Sequence, residues 1–200
     1  MQRECEPMDT KIQYFPKPGK QNTNAVVNLA INRAVRRRIK NIVVASNTGK
    51  TGLLVAERAA KRGIGTVVVT SAHGFSEKGK WDMEEAYMRK FKSMNVKIVS
   101  ATHALSGVER SFTKKFGGAS RVESVVEALR SLFGHGMKVC IEITIMAADS
   151  GAIPCKEETE IIAIAGSDEG ADTAVVVRPS HANSFFDIQI REIIAMPRTR

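Results

Sequence analysis

Residues 41–70 read NIVVASNTGKTGLLVAERAAKRGIGTVVVT, and the order of their parts decides the fold. NIVVA, residues 41–45, is a short apolar run rich in β-branched side chains. Such a run is a strand buried on both faces. Residues 51–62 then set Leu54, Val55, Ala59 and Ala60 inward at helical spacing. Gly63 stops that helix, because glycine accepts the left-handed backbone of a helix end. TVVVT, residues 66–70, is a second buried strand. Strand, helix and strand in close succession predict a parallel sheet with helices packed on it.

The same alternation extends outward. On the amino side, Val27, Ile31, Ala34 and Val35 recur at helical spacing from Asn24, with Asn22 or Thr23 as the cap. Residues 1–23 are polar and carry proline and glycine, so they read as an extended arm. On the carboxyl side, Asp82 and Glu85 have capping-box spacing ahead of the stripe Met83, Tyr87 and Phe91. VKIVS, residues 96–100, is a third strand. Residues 101–118 form a long glycine-bearing loop. Ser120 and Glu123 cap a helix whose core face is Val122, Val125, Val126, Leu129 and Phe133, and Gly134 ends it. MKVCIEITI, residues 137–145, reads as the fourth strand. EIIAIA, TAVVVR and DIQIREIIAM follow without helices between them, and predict antiparallel strands or an extension at one edge. The expected fold is a three-layer α/β/α sandwich around a mostly parallel mixed sheet. Residues 24–200 form one domain behind the 1–23 arm.

Composition narrows the function classes. The chain has 200 residues and a formal net charge of +9. Arg36, Arg37, Arg38 and Lys40 supply part of that excess at a helix end, where cations complement the macrodipole. Aromatic residues are few, so stacking platforms for single-stranded nucleic acid are not expected. The start of the chain lacks the apolar core of a signal peptide, and no apolar run reaches the length of a membrane span. The expected location is cytoplasmic, with no membrane partner. Cys5, Cys140 and Cys155 are too sparse for a disulfide framework, and Cys140 reads as a small core hydrophobe. The four histidines show no metal-ligand spacing, so no metal site is expected. No Ser-His-Asp set can be assembled; Ser46 and His73 come near one another without a third member.

Between NIVVA and its helix lies SNTGKTG, residues 46–52. Ser46, Asn47, Thr48 and Thr51 supply donors, Gly49 lets successive amides converge, and Lys50 adds a full charge. The helix start points its positive end at the same place. Three readings remain: a nucleotide-hydrolysing P-loop, a different phosphate cradle, and an ordinary strand–helix turn. The P-loop pattern needs a glycine where Val44 stands. Its carboxylate partner would be Glu142, inside the fourth strand, or Asp149, several residues late. That makes the P-loop the poorer reading. His73, Gly74 and Phe75 follow the second strand, and His103, Ser106 and Gly107 follow the third, so both groups fall at the ligand end of the sheet. Gly117 and Gly118 offer a second close backbone approach or a hinge to the next helix. His135 is expected away from that end.

The span from Asn24 to Phe75 resembles the carboxy-terminal α/β domain of pyruvate kinases. There too a helix leads to a strand, then a Ser/Thr-rich turn with a Gly-basic-Ser/Thr core, then a helix and a second strand. Over its whole length the chain is similar to stand-alone, chiefly archaeal proteins of that domain type. THALSGVERS, FGGASRVESV, CIEITIMAADSGAIP, EIIAIAGSDEGADTAVVVRPS and FFDIQIREIIAMPR carry this likeness. The resemblance implies the three-layer fold with a mixed sheet. It implies a phosphate held at the 46–51 turn and suggests flavin mononucleotide (FMN), or another nucleotide, as the ligand. The barrel domain that carries pyruvate kinase chemistry has no counterpart in these residues, so that activity is not expected. The strand order of the family would open a crevice between Ser46–Thr51 and Met146–Asp149. Met146 would cover a ring or fill the core. Asp149 would accept from a ribityl or ribose hydroxyl, or face solvent. A flavin-dependent or phosphate-ester enzyme and a regulatory module that self-associates are the alternatives to a simple binding protein.

Overall fold

The computed structural model describes residues 10–199. Cys5 and the first part of the arm lie outside the described residues. The chain runs β1 (Gln13–Phe15), α1 (Thr23–Arg37), β2 (Asn41–Ala45), α2 (Lys50–Ala60), β3 (Gly65–Thr70), α3 (Glu85–Ser93), β4 (Lys97–Ser100), α4 (Gly107–Phe116), α5 (Arg121–Phe133), α6 (His135–Asp149), β5 (Ile161–Ala165), β6 (Thr173–Arg178) and β7 (Gln189–Pro197). The seven strands form one mixed sheet in the order β1-β7-β6-β5-β2-β3-β4. β2 pairs parallel with β3 and with β5, β3 with β4, and β1 with β7. β6 runs antiparallel to both β5 and β7.

Alternation along the strands builds a core on each face. Ile42 and Val44 of β2 point to one side with Val68 of β3 and Ile162 and Ile164 of β5, where Val26, Val27 and Ala30 of α1 and Val55 and Ala56 of α2 meet them. Val43, Val67, Val69, Ile161 and Ala163 point to the other side, against Cys140, Ile141 and Ile145 of α6. The result is the expected three-layer α/β/α fold. Of the three terminal runs expected to be antiparallel or an edge extension, β6 is antiparallel to both neighbours, whereas β5 lies inside the sheet parallel to β2 and the edge beyond β7 is β1. Glu192 of β7, buried there, receives Arg33 and Arg37 from α1, so Arg37 of the basic cluster is paired and the neighbouring Arg36 and Arg38 are exposed.

Three local expectations need correction. Residues 137–145 are not a strand but the middle of α6. Every residue from Gly136 to Ala148 except Val139 is buried, so the run shows no polar face. A run apolar on all sides has no period to read, and length decides between strand and helix. The charged pair Lys138 and Glu142, four residues apart, is the helical sign inside it. Residues 101–118 are not all loop, because α4 occupies 107–116. None of the α4 residues is buried, so that helix has no core stripe. The arm contributes β1 and a short 3-10 turn at Lys20–Asn22. Asp82 does not cap α3; its carboxylate accepts from Ser71 Oγ at 3.0 Å and Ser76 Oγ at 2.8 Å. The Ser120–Glu123 capping box at α5 forms as read.

Candidate functional site

A cleft of about 1020 Å³ opens at the carboxyl ends of β2, β3 and β5. From β2 the chain moves outward through β3 and β4, and β5 later fills the opposite side of β2. This is a topological switch point, where open α/β sheets leave a crevice between diverging loops.

One wall is the turn from β2 into α2. Ser46 is buried, and its Oγ accepts the Gly52 N–H at 3.1 Å. Asn47 ties the turn to the end of β3, with Oδ1 accepting Ser71 N–H at 3.1 Å and its carbonyl accepting the Thr70 hydroxyl at 3.3 Å. The Thr48 carbonyl accepts Glu84 N–H at 3.0 Å. Gly49 has φ +106°, and a Cβ there would lie 2.5 Å from Cβ of Tyr87 on α3. The turn can therefore lie against α3 only as glycine. Lys50 and Thr51 open α2, and amides in a first helical turn lack intrahelical acceptors. Ser46, Asn47, Thr48, Lys50 and Thr51 all line the cleft.

The loop after β5 closes one side. Asp172 anchors it, accepting from Gly19 N–H, Ser167 N–H and the Thr173 hydroxyl at 2.8–3.1 Å. Glu169 reaches over the mouth, 2.8 Å from Lys20 Nζ and 3.6 Å from Lys50 Nζ.

The facing wall is α6 with Arg110 of α4 and Arg130 of α5. Lys138 and Glu142 form an ion pair of 2.6 Å with both side chains about as buried as the core, 3% and 4% exposed. Glu142 Oε1 also accepts Leu105 N–H at 3.0 Å. Desolvation pulls the Lys138 ammonium below the usual lysine range, and Glu142 opposes it. His103 lies in the same wall, its ring 4.6 Å from that of Phe75. Burial lowers its pKa, and Lys138 and Arg110 lower it further while Glu142 raises it. His135 is lowered first by burial and then by Arg130 and Lys138. Both imidazoles are thus held toward the neutral form, in which one ring nitrogen donates and the other accepts. Phe75, Tyr87 and Met146 add apolar surface.

The remaining residues singled out from sequence stand elsewhere. His73 stacks on Trp81 at 5.0 Å, in solvent. Gly74 closes a turn, its N–H bonded to the Lys80 carbonyl at 2.7 Å. Ser106 and Gly107 donate to the His103 carbonyl and start α4. Gly117 and Gly118 link α4 to α5 at positive φ, and a Cβ on either would meet open space, so no backbone approaches them closely. Asp149 accepts Ala182 N–H at 3.2 Å and faces His181 Nδ1 at 3.0 Å. His181 follows β6, which runs against β5, so that pair lies at the far end of the sheet.

The exchange of His135 and Asp149 has one cause. A strand over 137–145 would put 149 at the ligand end and 135 at the other. As a helix the same residues run the opposite way, and His135 comes to the cleft. Arg110, Arg130 and Lys138 were missed with it. The i,i+4 charge pair inside an apolar run was the signal that could have found Lys138. Nothing local marks the arginines.

No group of three or more metal-ligating side chains is gathered among the described residues. Among those residues no helix is long and apolar enough to cross a membrane.

The chain is similar to a Cryptosporidium parvum pyruvate kinase solved in complex with ADP, with 17% identity over 83% of this chain and 25% of that one and a TM-score of 0.40. A second structure of a pyruvate kinase from Cryptosporidium parvum gives 16% identity over 82% and 24%, again with a TM-score of 0.40. The chain spans about a quarter of the length of these solved pyruvate kinases. The family model for the pyruvate kinase alpha/beta domain matches residues 24–177, and with most of its length inside that match the chain belongs to the pyruvate kinase alpha/beta domain family.

Proposed function

We propose that the cleft binds a phosphate-bearing small molecule, FMN or another nucleotide, with its phosphate at the start of α2. The observation that carries this reading is that Thr48, Lys50 and Thr51, the residues at the start of α2, all border the cleft. Helix starts bind phosphate because free amides and the macrodipole act together. The apolar surface of Phe75, Tyr87 and Met146 suits a planar ring, and the volume is that of a small-molecule site. Pyruvate kinase activity is not expected of these residues.

FMN titration followed by quenching of its fluorescence tests the reading, with riboflavin as the phosphate-free control. FMN should bind more tightly than riboflavin, and the double variant Lys50→Ala, Thr51→Val should erase the difference. Equal affinity for FMN and riboflavin, or a double variant that binds like the parent, sinks it. Adenosine monophosphate against adenosine extends the same test to other nucleotides. Gly49 is a poor probe, since any side chain there strikes α3 before it meets a ligand.

An enzyme using the bound molecule is the second reading, favoured by two imidazoles held neutral beside the cleft. Groups of that kind transfer protons near neutral pH. His103→Gln that leaves turnover of a flavin- or phosphate-ester-dependent reaction intact would remove His103 from it.

A further inference from the structure

The cations of the α4–α5–α6 wall have no task in the α2 phosphate grip. Arg110 comes from α4, Arg130 from α5, and Lys138 and His135 from the start of α6, and all four border the cleft. Glu142 offsets only one of the three full charges, since its carboxylate pairs with Lys138 and with the Leu105 amide. Among the described residues no carboxylate lies within ion-pair distance of either guanidinium, and only Glu123, held by Thr113 and Ser120, feels the charge of Arg110 from farther off. Nε of Arg130 is buried and has no acceptor, the only side-chain nitrogen among the described residues in that state. A buried donor without a partner is a standing cost to the fold unless something else fills the place. α6 is fifteen residues long, and its positive end faces the same corner.

We infer that Arg110, Arg130, Lys138 and His135 form an oxyanion subsite, distinct from the start of α2, that takes a phosphate or carboxylate group. Guanidinium forks match the paired oxygens of either group and bind them by two parallel hydrogen bonds. Lys138, already turned to Glu142, keeps two N–H donors for a second acceptor. His135 adds a ring nitrogen from the helix start. Phosphate and carboxylate share this chemistry, so the free anion supplied decides the source. The inference stands whether or not the α2 turn holds a phosphate.

The side-chain resonances of His135 in ¹H–¹⁵N spectra report on this corner, and inorganic phosphate and acetate are the two probes. Phosphate should shift the His135 signals in the parent and equally in Lys50→Ala, which removes the α2 charge only. Arg130→Gln and Arg110→Gln should each weaken that response by about tenfold, the loss expected for a charge-assisted pair. Arg110 is exposed, so its variant serves if Arg130→Gln unfolds, and thermal melts establish which is folded. A stronger response to acetate assigns the subsite to carboxylates, and a stronger response to phosphate assigns it to phosphate esters. Signals that ignore both anions, or respond unchanged in a folded arginine variant, overturn the subsite. Loss of the response in Lys50→Ala alone also overturns it, by showing that the anion sits at α2.

Discussion

The two walls of the cleft handle polar groups in opposite ways. On the α2 wall the polar atoms belong to short side chains and backbone, and neighbours in the same turn or the next strand satisfy many of them. Ser46 serves Gly52, and Asn47 serves Ser71. On the α6 wall the polar groups are long charged side chains carried into the core by a helix that is otherwise apolar. The first wall needs little from the rest of the molecule beyond a close fit against α3. The second exists only because α4, α5 and α6 bring their charges together from separate parts of the chain. A wall of that kind is costly to build, because burying charge is repaid only when the partners stay in place.

The contrast is tested hardest at Glu142. Glu142→Leu leaves Lys138 buried without its partner and should cost about 3–5 kcal/mol of stability. Denaturant unfolding measures it. The double variant Glu142→Leu, Lys138→Met should recover part of the loss, since an apolar pair can replace a buried ion pair, while the Leu105 N–H stays without its acceptor. A single variant as stable as the parent would mean that water reaches this pair, and the difference between the walls would collapse.

At the α2 wall the sensitive position is Gly49. Gly49→Ala must fit a Cβ 2.5 Å from Tyr87 and 2.9 Å from Met83 Sδ, at a φ that side chains avoid. Overpacking of this kind costs about 1–3 kcal/mol. A smaller truncation at Tyr87 should restore part of it. If Gly49→Ala is neutral, the turn is not pressed against α3, and the α2 wall is looser than described.

The sequence was most legible where structure is local. The β2–α2–β3 unit, its glycine stop and the glycine-centred turn at the start of α2 all follow from residues close together in the chain. The strand run EIIAIA and the Ser120–Glu123 cap were equally plain. The α6 wall was not, because β-branched Ile141, Ile143 and Ile145 and the absence of a polar face hide the period of a buried helix. One wrong element type then placed Asp149 and His135 at exchanged ends. Arg110 and Arg130 could not be read at all: nothing within α4 or α5 tells that both border the cleft beside α6. The place of the 166–170 loop in the cleft depends on β5 lying beside β2, which no local pattern states.

In the pH range where histidines titrate, acid should act on the α6 wall. Burial lowers the pKa of His103, with Lys138 and Arg110 beside it, and that of His135, with Arg130 and Lys138 beside it. Glu142 opposes both shifts, and Asp172 opposes the second. The unfolded chain then binds protons at these sites before the folded one does. Their contribution to stability is complete above the ordinary histidine value of 6.5 and is lost as pH falls through it toward the lowered folded values. Melting temperature should decline over that range, and His103→Gln with His135→Gln should flatten the decline. A parent and a double variant with parallel pH profiles would mean that the two imidazoles are solvated, and that the α6 wall is wetter than its buried ion pair suggests.

The smallest effect concerns the loop that joins the two walls at the mouth. Glu169 holds Lys20 and, more distantly, Lys50, and these ion pairs are exposed. Exposed pairs add little to stability, so Glu169→Gln should melt like the parent. Its effect belongs to binding. A phosphate at α2 must share Lys50 with the Glu169 carboxylate, and like charges repel across the mouth. Removing the carboxylate should tighten FMN a few-fold, more at low salt than at high salt, because the mouth is open to screening ions. Weaker binding in Glu169→Gln would reverse its role: the carboxylate would then be accepting a hydrogen bond from a hydroxyl of the ligand, as a group that recognises a ribityl or ribose chain does. The sign of that one change decides whether the loop after β5 competes with the ligand or reads it.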